Sequence, residues 1–191
     1  PDFSSVVSGD VDYVPWCEDA ACTTLAAPVK NVTQNTFFAE IQPAVTAANP
    51  GDVIEVAAGT YDESPITINK ALTINGANVG LAGDDPLRGS ESQILNTKLT
   101  ITAAGVVIDG FEIYQTDNTA DAILIQAAAT VQNSIIKRDG VDAGQFVRGI
   151  TTAVGTAGFS INDNLFTGDS SGDFFGSHKT WNSCMYLNGG P

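Results

Sequence analysis

The stretch from Ile41 to Gly76, IQPAVTAANPGDVIEVAAGTYDESPITINKALTING, limits the fold more than any other part of the chain. One short helical pattern there runs into several short, evenly spaced β-patterned segments. Gln42-Pro43 opens a helix, since proline costs little in a first turn whose N–H groups lack intrahelical partners anyway. Asn49-Pro50-Gly51 stops it. Asp52 to Ala57 alternates in side-chain direction as a strand does, Gly59 to Tyr61 turns, Ile66 to Asn69 runs again, and Leu72 to Gly76 repeats the pattern. Strands this short own no core individually, so neighbouring repeats must stack to bury their apolar sides.

Beyond Gly76 the signature returns. Asn75-Gly-Ala77, Asp109-Gly-Phe111, Asn133-Ser-Ile135 and Asp163-Asn-Leu165 each place an Asn or Asp before a small or amide residue and then an apolar one. In the last three, Val107, Val131 and Ile161 stand two positions ahead. Aligned in this way the steps are 34, 24 and 30 residues, and the longest holds a Gly-, Asp- and Pro-rich insertion from Val79 to Ser92 that reads as a loop. The alignment predicts Phe111, Ile135 and Leu165 as core. It also predicts Asn75, Asp109, Asn133, Asp163 and Asn164 as a polar ladder at the turns, because Asn and Asp tolerate left-handed geometry and bond neighbouring backbone.

The stretch from Ile41 to Gly76 resembles the N-terminal cap and first coil of the pectin-lyase-like right-handed parallel β-helix superfamily, whose members commonly read I-Q-x-A-x-x-A-x-x-G-D-x-I-x-V-x-x-G-T-Y. The resemblance implies an all-β fold, a right-handed single-stranded parallel β-helix (solenoid) with a short N-terminal capping helix, as in bacterial secreted and surface repeat proteins. It does not imply a function, which lives in sites rather than folds.

Residues 1–35 differ in character from the remainder of the chain. Val6 to Trp16 is a polar-alternating strand and Cys17 to Lys30 a small-residue linker. Two readings stand: the end of a preceding β-helix domain plus linker, since segments similar to S-G-x-V-D-Y-x-P-W close β-helices in multidomain surface proteins, or an ordinary N-terminal strand. Residues 36–191 then form the β-helix proper. Its last apparent coil, Met185 to Gly189, is followed by no visible cap, so the coil array is expected to be open or truncated, covered by another chain or continued in the natural polypeptide. The start at Pro1, without Met or signal peptide, predicts a processed form or an excised segment.

Composition narrows the partners. At 191 residues the chain suits one principal domain, and 43% hydrophobic against 16% charged residues with 19 glycines suits a turn-rich β protein. No apolar run is long enough for a membrane span. The net charge of −14, spread along the chain, repels nucleic acid. Cys17 and Cys22 are spaced to close a small disulfide loop, leaving Cys184 over, while a single His178 supplies no zinc ligand pair. Asn31-Val-Thr33 is a lone glycosylation sequon, relevant only in a eukaryotic secretory pathway.

Two functional classes are compatible with these residues. The resemblance suggests a polysaccharide lyase or glycoside hydrolase acting on acidic polysaccharide. Lyase chemistry needs positive charge to neutralise the uronate carboxylate and a base to take its proton, and Lys137, Arg138 and Arg148 are the only local concentration of positive charge. Asp109, Asp139 and Asp163 are the candidate ligands should calcium take part. Against this, eight basic residues grip an anionic polymer poorly and the overall charge opposes its approach. Asp84-Asp85 sits in the inserted loop, a poor acid/base pair, and His178 in a Gly/Ser-rich loop. The second class is a structural or adhesive module, secreted or at a bacterial cell surface, binding through exposed aromatics such as Tyr114, Trp181 and Tyr186. Its expected partners are other copies of itself or adjacent β-helix domains, and polysaccharide. The balance of residues favours this second class.

Overall fold

The computed structural model describes residues 27–63, 65–116, 121–138, 148–168 and 185–186. Two short strands come first, β1 (Val29–Asn31) and β2 (Thr36–Phe38), followed by helix α1 (Ile41–Ala47). Among the described residues, five coils of three strands each then succeed one another. The first holds β3 (Val53–Val56), β4 (Gly59–Tyr61) and β5 (Ile66–Ile68), and the second β6 (Thr73–Asn75), β7 (Ser92–Leu95) and β8 (Leu99–Ile101). The third has β9 (Val106–Asp109), β10 (Glu112–Gln115) and β11 (Ile123–Ile125), the fourth β12 (Ala129–Gln132), β13 (Ile135–Arg138) and β14 (Ile150–Thr152). The fifth comprises β15 (Ser160–Asn162), β16 (Leu165–Gly168) and β17 (Met185–Tyr186).

Corresponding strands of successive coils pair in parallel and build three sheets: β3-β6-β9-β12-β15, β4-β7-β10-β13-β16 and β5-β8-β11-β14-β17. That is a parallel β-helix. The first sheet is extended antiparallel by β1, which pairs with both β3 and β2, so the boundary predicted at residue 36 falls between two paired strands.

The interior is a set of apolar columns. On the first sheet Ile54, Ile74, Ile108, Val131 and Ile161 stand one above another, and on the second Tyr61, Ile94, Ile113, Ile136 and Phe166. The third contributes Ile66, Leu99, Ile123 and Ile150, with Ile68, Ile101 and Ile125 beside them. Nearly all are fully buried. Branched residues suit this stacking, because a β-branched side chain already stiff at χ1 loses little on packing against its copy about 4.8 Å away.

The register corrects the alignment of the turn triads. Asn75 does pair with Asp109, but Asp109 pairs with Gln132 and Gln132 with Asn162, one residue earlier than the Asn/Asp pattern predicts. A one-residue slip exchanges the two faces of a strand. Phe111 is therefore buried as predicted, whereas Ile135 is only half-buried and Leu165 is exposed at 36%. Both belong to the outward row of Glu112, and the core positions are taken by Ile136 and Phe166. The cause is conformational. What recurs at this corner is the left-handed residue, Gly110 (φ 78°), Asn133 (φ 52°) and Asp163 (φ 52°), and these three stack even though their neighbours differ in type. Next in line, Ser134 and Asn164 occupy the place of Phe111. The Ser134 hydroxyl donates to the Gln132 carbonyl and accepts the Phe111 N–H, while Asn164 accepts the Ser134 N–H and donates to the Val131 carbonyl. These polar groups carry the predicted ladder role, bonding one coil to the next.

Between β6 and β7 the predicted loop lies along this same corner as a strap. Gly83 donates its N–H to the Asp163 carbonyl, and a β-carbon there would stand 2.4 Å from the Leu165 nitrogen, so only glycine lets the strap lie flat. Arg88 fastens it. Its guanidinium makes a bidentate pair with Glu91 at 2.9 and 2.8 Å and donates to the carbonyls of Leu81 (2.7 Å) and Asn133 (2.8 Å).

Candidate functional site

The junction between the second and third sheets gathers the predicted basic residues. Lys137 and Arg138 end strand β13, and Arg148 precedes β14. All three line one narrow cleft together with Gln115, Gly149 and Thr167. Alternation separates their roles. Arg138 stands in register with Gln115 and faces inward, 6% exposed, whereas Lys137 points outward beside Tyr114. The Lys137 Nζ lies 4.4 Å from the Tyr114 ring centroid, within cation–π range. Gln115, itself buried, donates to the Thr97 carbonyl at 2.9 Å, and the Arg148 N–H donates to Asp121 at 3.1 Å. Asp121 also accepts the Thr151 hydroxyl at 2.7 Å. The cleft itself has room for about one water.

Asp109 has a different character. One carboxylate oxygen accepts the Gly80 N–H and the Asn133 amide, both at 2.9 Å, and the other accepts the Gln132 amide at 2.6 Å. A ring of N–H donors is the opposite of what a cation requires of its ligand's surroundings, and the described residues hold no group of three or more His, Cys, Asp or Glu placed for a metal. Asp163 is exposed and uses its carbonyl to hold the strap. Asp139, Trp181, Cys17 and Cys22 lie outside the described residues, as does His178. Tyr186 is described only as a strand residue, paired with Thr151.

Several determinants carry no sequence motif. Asp52 is a hub: one of its carboxylate oxygens accepts the side-chain amides of Asn31 (2.8 Å) and Gln34 and the Asn49 N–H (2.8 Å). These hydrogen bonds, that from Asn31 foremost, hold its carboxyl below the ordinary 3.8, against the opposing effect of burial. Asn31, the sequon residue, is thereby fully buried. Only the N-P-G-D turn could have flagged Asp52 beforehand, since Asp after such a turn commonly bonds nearby backbone. No helix among the described residues is long and apolar enough to cross a membrane.

Three parallel sheets wound around one apolar column, entered through a capping helix, define a pectin-lyase-like parallel β-helix. Over residues 27–183 the chain matches, and so belongs to, the family described as Protein of unknown function (DUF1565). No curated protein and no solved structure matches it.

Proposed function

We propose that the chain is a structural and adhesive module of a secreted or cell-surface protein, a rigid β-helical body that presents flat sheets for contact. The observation that carries this reading is the employment of its charged groups. Asp52, Asp109 and Glu63 accept backbone N–H groups, Lys70 and Arg88 donate to backbone carbonyls, and Glu91 holds the Arg88 guanidinium. Groups committed to the framework are poorly available as acids or bases. The outward row of Leu95, Tyr114 and Lys137 on the second sheet offers instead an aromatic and cationic surface suited to contact.

A polysaccharide lyase is the second reading, favoured by the convergence of Lys137, Arg138 and Arg148 on one cleft. Burial of Arg138 and the narrowness of the cleft weigh against it. Incubation with polygalacturonate and with alginate, each with and without calcium, separates the two. The adhesive reading expects no absorbance from unsaturated products. Product accumulation that disappears in Lys137→Ala, Arg138→Ala and Arg148→Ala would establish the lyase instead.

A further inference from the structure

We propose that the outer groove of the first sheet binds the end of a neutral saccharide chain, an inference that names a ligand for the adhesive reading and rests on it. The outward positions of Phe37, Lys30, Glu55 and Asn75 stand in one row across β2, β1, β3 and β6, each beside the next. All four line a single open groove of about 320 Å³, bordered by Ala77 and Val79 of the strap. That size lies within the range of small-ligand sites, about 300–1,000 Å³.

The chemistry of the row points to a sugar. The half-buried Phe37 ring supplies an apolar face of the kind that packs against the C–H side of a pyranose. Glu55 and Asn75 add a carboxylate and an amide on neighbouring strands, about 4.8 Å apart, able to accept from and donate to ring hydroxyls. Lys30 stands beside both Phe37 and Glu55, its Nζ 4.6 Å from the Phe37 ring centroid. The formal charges of Lys30 and Glu55 cancel, while the molecule around them carries −14. An anionic ligand is repelled at long range and gains no net positive partner in the groove; a neutral one meets neither penalty.

The strap sets the length. The next rung of the row is Asp109, only 6% exposed, with the Gly80 N–H held against its carboxylate. The outward polar row is thus roofed at the third coil, so a polymer cannot lie along the whole sheet, and the groove suits a chain terminus or short branch.

Saturation-transfer NMR with cellobiose, lactose and mannobiose tests the site. At least one disaccharide is expected to receive saturation, with affinity reduced about tenfold in Phe37→Ala and in the surface variant Glu55→Gln. Phe37→Tyr should bind as the parent does, and Lys98→Ala, in the turn between β7 and β8, should be unchanged. No transfer to any of the three, or equal affinity in a folded Phe37→Ala protein, overturns the groove. Binding that instead vanishes in Lys137→Ala would overturn the groove while leaving the adhesive reading standing. Cleavage of polygalacturonate is the separate outcome that removes the adhesive reading.

Discussion

Glu63 and Lys70 hold opposite ends of the same seven-residue helix, α1. The Glu63 carboxylate accepts the N–H groups of Ile41 (2.6 Å) and Gln42 (2.8 Å), while the Lys70 ammonium donates to the carbonyls of Val45, Thr46 and Ala48. A helix this short is not stable alone, and its own N-cap residue, Glu40, makes no side-chain cap. Charge placement matches the helix dipole at both ends. The first coil and its exit therefore cap the element that caps them.

Glu63→Ala should lower stability by about 1–2 kcal/mol, as loss of an N-cap does. Lys70→Met, which keeps the apolar stem, should cost about 1 kcal/mol. Urea midpoints of the two variants and the double variant measure both effects. Unchanged midpoints would show that the helix is held by packing alone.

Arg88 predicts a larger loss. Its side chain is 6% exposed and that of Glu91 17%, so Arg88→Ala strands a largely enclosed carboxylate and four backbone carbonyls. The expected cost is about 3 kcal/mol. Arg88→Lys should rescue little, because an ammonium cannot reproduce the bidentate fork. Thermal melting is the measurement, and limited proteolysis should cut first between residues 78 and 91.

The corner of left-handed residues makes a paired prediction. Gly110→Ala adds a β-carbon 2.3 Å from the Val79 nitrogen at a φ of 78°, so it should destabilise by more than about 1 kcal/mol. Asp163→Gly, at the stacked position of an exposed residue, should be close to neutral, and Asp163→Val clearly unfavourable. Equal tolerance of Gly110→Ala and Asp163→Gly in denaturant titrations would contradict the shared geometry.

Asp52 predicts the acid limit of the N-terminal cap. Its folded-state pKa is depressed below 3.8, so its contribution is fully present above that value and is lost as pH falls through the lower folded value. Stability should therefore fall when pH drops from about 5 to about 3, and Asp52→Asn should lose less over the same interval. Midpoints measured at both pH values decide it, and an equal fall in the variant would assign the acid sensitivity to other carboxylates.

The same hub closes the sequon. Asn31 is fully buried with its amide donating to Asp52, so a glycan on Asn31 is incompatible with the folded cap. Protein made through a eukaryotic secretory host should show no mass loss on glycosidase treatment.

By itself the sequence determined the architecture. The helix-stop-strand order from Ile41 to Gly76, the recurring apolar alternation and the loop near Val79 all act locally, through proline geometry, glycine freedom and side-chain period, so they were legible one segment at a time. What it left undetermined was register, because an Asn or Asp looks alike whether it precedes the corner or turns it. Asp109 and Gln132 became partners, and Leu165 turned outward, through hydrogen bonds between coils more than twenty residues apart. Only the tertiary structure decided as well which charges face which amides: Glu63 on Ile41, Arg88 on Asn133 and Asp52 on Asn31 are contacts between distant segments that no spacing encodes. The gathering of Lys137, Arg138 and Arg148 was half visible, as a local cluster, but the division of Lys137 and Arg138 into one outward and one buried side chain came from the alternation of a strand whose register its neighbours set.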